Sequence, residues 1–461
     1  MVSDTHVVIL AAGEGTRMKS ALPKVLHQVA GVPMIDYVLA AARPLAPTTV
    51  TLVVGHRADL VREQLARRRD LRFVLQEPQL GAGHALQQTE ALFAGVEGTL
   101  VMLSGDVPLL TPSTLERLVG AHRSSNAAAT VVTAVFDDPS GYGRVVRENG
   151  EITRIVDERE ATDAERRIRE VNAGIYAFDI APFFASLARV AAANAQGEYS
   201  LPDLIGMYRR EGRPVSTVRV EDPDEIGGIN SRKELAAVSR ILRQQRNDAL
   251  MAAGVTIEDP DTTYVGPDVD VGRDTILHPG VFLEGRTRIG SNCEIHANVR
   301  IVDSTLEDRV TVFNFCMING AHVASGARIG PFAHLRPEAD VREDARVGNF
   351  VELKKTVLGA RSKANHLTYL GDATIGERVN VGAGTITCNY DGVRKHPTVI
   401  EDDVFIGSGS QLVAPVRIGK GAYVAAGSPI VKDVPAGALG IARGVQANKE
   451  GWVARKKGKK A

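Results

Sequence analysis

Over the second half of the chain a valine, isoleucine or leucine recurs at every sixth position. Val265, Val271, Leu277, Leu283, Ile289, Ile295 and Ile301 keep this spacing without a miss. The register slips across 302–328 and returns at Ile329, Leu335, Val341, Val347 and Leu353, then at Ile375 and Val381. A last run holds Ile400, Ile406, Leu412, Ile418, Val424 and Ile430. A period of six fits neither the 3.6 of a helix nor a long strand alternating by two. It predicts a parallel β-helix in which each hexad is one flat side and its apolar residue points inward. One stretch breaks the beat: "VGAGTITCNYDGVRKHPTVI", residues 381–400, is long, polar and Gly-rich. Such an interruption of a regular scaffold predicts half of an active site.

The first half has another rhythm. "HVVILAAG" (6–13), "TTVTLVVG" (48–55), "LRFVLQ" (71–76) and "TLVMLSGD" (99–106) are apolar runs ending in turn residues, separated by helical patterns such as "PMIDYVLAAARPL". The alternation predicts an α/β domain over 1–230, a mostly parallel sheet covered by helices. "GRVVRENGEITRIVDE" predicts a hairpin turning at Asn149-Gly150. Residues 231–253 read as a helical linker, with Ser231 as cap, Glu234 three residues on and Gly254 as stop. The β-helix domain then occupies 254–461 and ends in the basic tail "ARKKGKK", a solvated terminus.

Composition narrows the function. Lys plus Arg and Asp plus Glu both number 55, and aromatics are 5%; neither balance suits a nucleic-acid surface. Cys293, Cys316 and Cys388 form no CxxC pair and no disulfide framework, which fits a reducing compartment. Neither a signal peptide nor an 18-residue apolar run is evident. The expectation is a cytoplasmic location.

Two clusters carry chemistry in the first half. "LAAGEGTRM" (10–18) follows a strand, and Gly13 and Gly15 let backbone N–H groups approach a phosphate. Met18 stands where a dinucleotide fingerprint needs its third glycine, which disfavours that reading. Arg17 and Lys24 beside the loop suit a triphosphate. Asp106 ends a strand on the ligand-binding edge of such a sheet. A carboxylate beside a phosphate loop calls for a cation between them, and Mg²⁺ takes hard oxygen ligands.

With "QLGAGHA" (79–85), "GYGR" (141–144), "VNAG" (171–174) and "GGINSR" (227–232), these motifs resemble the sugar-1-phosphate nucleotidyltransferases. Joined to the hexads and to "KEGW" (449–452), they are similar to the bacterial family that combines N-acetylglucosamine-1-phosphate uridyltransferase with glucosamine-1-phosphate N-acetyltransferase. The resemblance implies a Rossmann-like nucleotidyltransferase domain and a left-handed β-helix that trimerises; the period alone does not give the hand. It implies that Leu10, Ala11, Ala12, Gly13, Arg17 and Lys24 hold the UTP phosphates, that Gln76, Gly81 and Ala82 read uracil, and that Ser104 and Gly105 complete the wall. Gly143, Asp157 and Asn172 would hold N-acetylglucosamine-1-phosphate, and Asp106 and Asn230 would bind Mg²⁺. Ala82, Ser104, Asp157 and Ala173 depart from the family's commoner Thr or Ser, Tyr or Asn, Glu, and Thr.

In the second half, Arg336, Lys354 and His366 are bunched in an otherwise neutral repeat, just before the interruption. Basic residues so placed suit an anionic ligand. The resemblance implies that Arg336, Lys354, Tyr369 and Asn380 hold glucosamine-1-phosphate, that His366 is the general base, and that Ala383, Asn389, Tyr390, Ser408, Ala426 and Arg443 line acetyl-CoA. The "TCNYDG" loop (387–392) would reach the ligand across a subunit boundary. The product, UDP-N-acetylglucosamine, would feed cell-wall and envelope glycans. Two rivals stand beside this reading: a single-activity nucleotidyltransferase with a structural or regulatory β-helix, and a non-catalytic binding scaffold.

Overall fold

The computed structural model describes residues 4–193 and 199–457; the end of the basic tail, 458–461, lies outside the described residues. The chain folds into two compact units, Met1–Leu242 and Arg243–Ala461.

In the first unit a sheet runs in the order Val215–Arg219, Ala129–Val135, Glu170–Asp179, Thr99–Ser104, Thr5–Ala11, Thr49–Val54, Leu71–Leu75. The central strand Thr5–Ala11 explains the unbroken apolar run. Val7 and Ile9 pack into the core on one face and Val8 into the core on the other, and all three are fully buried. A parallel strand covered on both sides has no polar face to alternate with. Glu170–Asp179 is the exception to parallel pairing, running antiparallel to both neighbours, with its register shifting between Asn172 and Tyr176. Arg144–Glu148 and Glu151–Val156 form the expected hairpin, and Asn149 and Gly150 adopt φ of +51° and +82°.

A helix spans Arg232–Ala252. Ser231 Oγ accepts from the Glu234 N–H at 3.3 Å, and the Glu234 carboxylate accepts from the Ser231 N–H at 2.9 Å, a reciprocal capping box. Gly254, at φ +99°, stops it. The boundary between the compact units falls inside this helix.

In the second unit short strands of two or three residues, and the nine-residue strands Arg346–Lys354 and Lys363–Gly371, stack in parallel on three faces. Val271 pairs with Ile289, Leu277 with Ile295 and Leu283 with Ile301, one coil being 18 residues. The slip in the sequence beat is two successive coils of 17 residues, one corner residue missing after Ile301 and another after Ile318. Ile289 pairs with Leu306, Ile295 with Val312 and Ile301 with Ile318. The inward ladder therefore continues, with Leu306, Val312, Ile318 and Val323 buried. The interruption is a lengthened coil: Ile375 pairs with Ile400, Val381 with Ile406 and Thr387 with Leu412, 25 positions on. The extra residues are extruded between Cys388 and Thr398, and the stack closes beneath them.

Glycines between coils mark where two backbones touch. A Cβ at Gly359 would lie 2.1 Å from the Gly376 carbonyl oxygen, whereas one at the exposed helical Gly120 would meet nothing. Gly359→Ala should lower the thermal midpoint of the coil unit, because backbone must separate to admit it. Gly120→Ala should raise that of the first unit, because it adds about 0.5–1 kcal/mol of helix stability. Circular dichroism melts of both variants check the opposite signs.

Candidate active sites

The first site lies at the carboxyl ends of the parallel strands. A cavity of about 510 Å³ is lined by Leu10, Ala11, Ala12, Gly13, Lys24, Gln76, Gly81, Ala82, Ser104 and Asp106, all expected from the sequence, and also by Glu14 and Gln79. Gly15 matters for close approach. It sits at φ +64°, and a Cβ there would lie 2.8 Å from Lys24 Cβ, so glycine lets Lys24 pass against the loop. The Lys24 ammonium donates to Asp106 Oδ2 and, at 3.0 Å, to Asn230 Oδ1. The Ile229 N–H donates to the Asp106 carbonyl at 2.9 Å, which delivers Asn230 to this place. An ammonium between a carboxylate and an amide oxygen marks a cation position with hard oxygen donors, and these residues fit a divalent metal. Arg17 lies exposed on the turn Thr16–Met18, off the cavity wall.

Gln76 is buried and donates to the Gly81 carbonyl at 3.0 Å, with His84 Nδ1 at 3.1 Å from the same nitrogen. Gly143 accepts from the Asn172 N–H at 2.9 Å. The shifted register of that strand is held by the Asn172 side chain, which donates to Tyr176 Oη at 2.6 Å and accepts from the Gly174 N–H at 3.0 Å. Bulges of this kind re-aim side chains at sites. Asp157 is exposed and accepts from the Arg159 N–H at 2.9 Å.

The second site is on the coil. Arg336 and Lys354 stand on successive rungs; Arg336 donates to Glu352 at 2.9 Å and Lys354 to Asp372 at 3.3 Å. The Asn389 amide also donates to Asp372. Lys395, from the extruded loop, joins them. The contact with Lys395, together with Asp372, holds Lys354 above the ordinary lysine value; Lys354 in turn pushes Lys395 below it, and Arg336 adds to the repulsion. Three cations gathered at one point suit a phosphate. The loop is braced on Asp391, held well below the usual carboxylate range by the Arg394 N–H, the His396 side chain and the Val393 N–H. Tyr390 is exposed beside it.

His366 is exposed at a corner of the coil, and its Nδ1 lies 2.7 Å from Asn349 Oδ1. A carbonyl oxygen only accepts, so Nδ1 carries the proton and Nε2 keeps its lone pair. From this corner four of the residues expected to line acetyl-CoA, Ala383, Ser408, Ala426 and Arg443, form one column, whereas Asn389 and Tyr390 lie on the extruded loop. The Gly384 N–H donates to the His366 carbonyl at 3.3 Å, Gly409 N–H to Ala383 at 2.7 Å, and Gly427 N–H to Ser408 at 2.8 Å; Arg443 Nη1 donates to the Ala426 carbonyl at 2.9 Å. Four rungs of about 4.8 Å span about 19 Å. The corner residues of this column change character at His366. Phe315, Phe332, Phe350 and Leu367 precede Gly384, Gly409 and Gly427, all with left-handed φ. The glycine half is a groove and the bulky half a ridge. Asn380 stands on the rung between Lys363 and Phe405.

Asn349 and Lys395 were not legible as site residues in the sequence. Asn349 is one 17-residue coil before His366 and pairs with it in register; that offset was the available signal. A separate hollow of about 560 Å³ on the coil, with Glu307, His322, Arg342 and Glu377 in its lining, holds none of the expected residues. Its His322 is flanked by Glu307 at 3.2 Å and Asp340 at 3.0 Å.

Residues 7–174 match the family model of the MobA-like NTP transferase domain, and residues 397–429 that of the bacterial transferase hexapeptide repeats. The chain is 50% identical over 451 residues to the protein named Bifunctional protein GlmU of Trichlorobacter lovleyi, covering 98% of each. Proteins of the same name from Pelobacter propionicus and Geobacter metallireducens are each 48% identical, over 459 and 469 residues, covering 99% and 98% of this chain and 100% and 98% of theirs.

The Asn349 contact generates a prediction of its own. In histidine-labelled protein, ¹⁵N NMR should find neutral His366 with its proton on Nδ1, and Asn349→Leu should move the population toward Nε2–H. An unchanged tautomer in the variant would show that Asn349 does not set it.

Proposed function

The chain belongs to the bifunctional GlmU family, and from that premise we propose that it makes UDP-N-acetylglucosamine in two steps, one in each compact unit. Glucosamine-1-phosphate is first acetylated from acetyl-CoA at the coil site. The product then attacks UTP at the sheet site and pyrophosphate leaves. The observation that carries the double reading is the column from His366 to Arg443. It has the length, the glycine groove and the cationic far end that a thioester of a long phosphorylated carrier requires. A nucleotidyltransferase with a merely structural coil would have no use for it, nor would a scaffold for the Lys24–Asp106–Asn230 cluster.

At the coil site Arg336, Lys354 and Lys395 bind the sugar phosphate, with Tyr369 and Asn380 on the sugar. The amine attacks the thioester carbonyl, His366 Nε2 takes the amine's proton, and the sulfur leaves; Ala383, Asn389, Tyr390, Ser408, Ala426 and Arg443 hold the carrier. Proton removal by a placed imidazole contributes roughly 10²–10⁴-fold. At the sheet site the attacking phosphate oxygen is already ionised near pH 7, so no general base is needed. Gln76, Gly81 and Ala82 bind the base, Gly143, Asp157 and Asn172 the sugar, and the loop N–H groups, Arg17 and Lys24 neutralise the triphosphate in the transition state. Asp106 and Asn230 would hold Mg²⁺, which when bound would supply positive charge to the triphosphate and the leaving pyrophosphate.

On this reading residues 1–230 carry uridylyl transfer, 231–253 connect, and 254–461 form a left-handed β-helix that carries acetyl transfer and trimerises. The exposed rings of Phe315, Phe332 and Phe350, stacked 5.1 and 5.2 Å apart, support association through the coil. The location is cytoplasmic, where UTP and acetyl-CoA are made; among the described residues no helix is long and apolar enough to cross a membrane.

Purified protein given glucosamine-1-phosphate, acetyl-CoA, UTP and Mg²⁺ should form UDP-N-acetylglucosamine, and omission of any one should stop it. Gly409→Phe tests the groove. The same corner holds phenylalanine at Phe315, Phe332 and Phe350, so the coil should tolerate the ring. The KM for acetyl-CoA should rise at least tenfold while uridylyl transfer is unchanged. An unaltered KM in the folded variant would refute the groove.

A further inference from the structure

The N-terminal rungs of the coil carry a side-chain cluster that neither transfer step uses. His278 and His296 stand on adjacent rungs, one residue past the paired Leu277 and Ile295. Their rings stack with centroids 4.7 Å apart and planes 9° from parallel. Both turn Nε2 toward one atom, Glu294 Oε1, at 3.2 Å from His278 and 3.5 Å from His296. The other nitrogen of His278, Nδ1, lies 2.8 Å from the Glu258 carboxylate on the preceding rung. On its far face His296 stacks against Phe313 at 5.2 Å, and Arg328 lies over that ring. The three side chains are partly buried, His278 to 21% exposure, His296 to 24% and Glu294 to 43%.

Glu258 only accepts, so it fixes a proton on His278 Nδ1 and leaves the Nε2 lone pair facing another carboxylate oxygen. Two imidazole nitrogens that meet one carboxylate oxygen call for a shared positive centre among them, a proton or a metal ion. We infer that His278, Glu294 and His296 form a binding site for a divalent transition ion of the zinc type, which ties the second and third rungs together. The donor set of two imidazoles and one carboxylate suits zinc and disfavours magnesium. The spacing suits it too. Ligand atoms around a tetrahedral ion at zinc–ligand distances stand about 3.3 Å apart, and all three donor atoms lie within 4.8 Å of one another. Turning the half-buried rings brings their lone pairs to one point. Glu258 then plays the outer carboxylate that orients a ligating histidine.

The test uses the full-length chain without a histidine tag. Equilibrium dialysis against Zn²⁺ in excess Mg²⁺, which masks the oxygen site at Asp106, should find one zinc per chain. The double variant His278→Gln/His296→Gln should lose it while retaining its circular dichroism spectrum. Glu258→Gln, a change at an exposed carboxylate, should bind about 10- to 100-fold more weakly. Zinc should raise the thermal midpoint of the wild type and not of the double variant, and should slow hydrogen exchange across 256–313. No zinc uptake by the wild type would overturn the inference, as would equal uptake by wild type and double variant.

Discussion

At each site an ammonium is held against a carboxylate and an asparagine in a partly buried cleft. Lys24 meets Asp106 with Asn230 beside it, and Lys354 meets Asp372 with Asn389 beside it. The four charged side chains are only 15–19% exposed. A long lysine on an open surface has about 2 kcal/mol of rotamer entropy to lose when a phosphate arrives. Here the carboxylate has already fixed the ammonium, and removing one partner would leave the other charge uncompensated. Both proposed reactions begin with an anionic sugar phosphate, so both depend on positive charge set in place before the substrate enters.

The two scaffolds meet this requirement differently. The sheet gathers its residues at strand ends, where loops from positions near 10, 76, 81 and 105 converge because parallel strands all finish on one edge. The coil has no such edge. It gathers residues by stacking, so neighbours in space are one coil apart in sequence, and it gains reach by lengthening one coil to 25 residues. The extruded segment brings Lys395 to Lys354 without disturbing the buried ladder of Ile375, Ile400 and Ile418. Corner residues then decide what each rung offers, a ring at Phe350 or open space at Gly409.

Much of this was legible before the structure. The hexads stood for inward positions because a coil interior accepts one apolar residue per flat side. Val7–Ile9 read as a strand buried on both faces, and Ser231 with Glu234 as a cap. Gly13, Lys24 and Asp106 came from a phosphate-binding rationale, and the other cavity-lining residues from the family resemblance. What stayed hidden depended on closure of the coil. The shortening after Ile301 and again after Ile318 looked like a lost pattern because each deleted corner residue shifts every later hexad. Asn349 and Lys395 carry no local signal, since their importance lies in partners 17 and 41 positions away. The antiparallel strand Glu170–Asp179 was not foreseen, because burial on both faces erases the alternation that would set it apart from a parallel neighbour.

The central claim is that two chemistries sit at two independent charge-fixed sites on one chain. The most direct measurement assays acetyl transfer and uridylyl transfer on the same preparations of Asp106→Ala and His366→Ala. Asp106→Ala should abolish uridylyl transfer and leave acetyl transfer intact. His366→Ala should lower acetyl-transfer kcat by roughly 10²–10⁴-fold, the size of a lost general base, and leave uridylyl transfer intact. Equal loss of both activities in either folded variant would contradict the account.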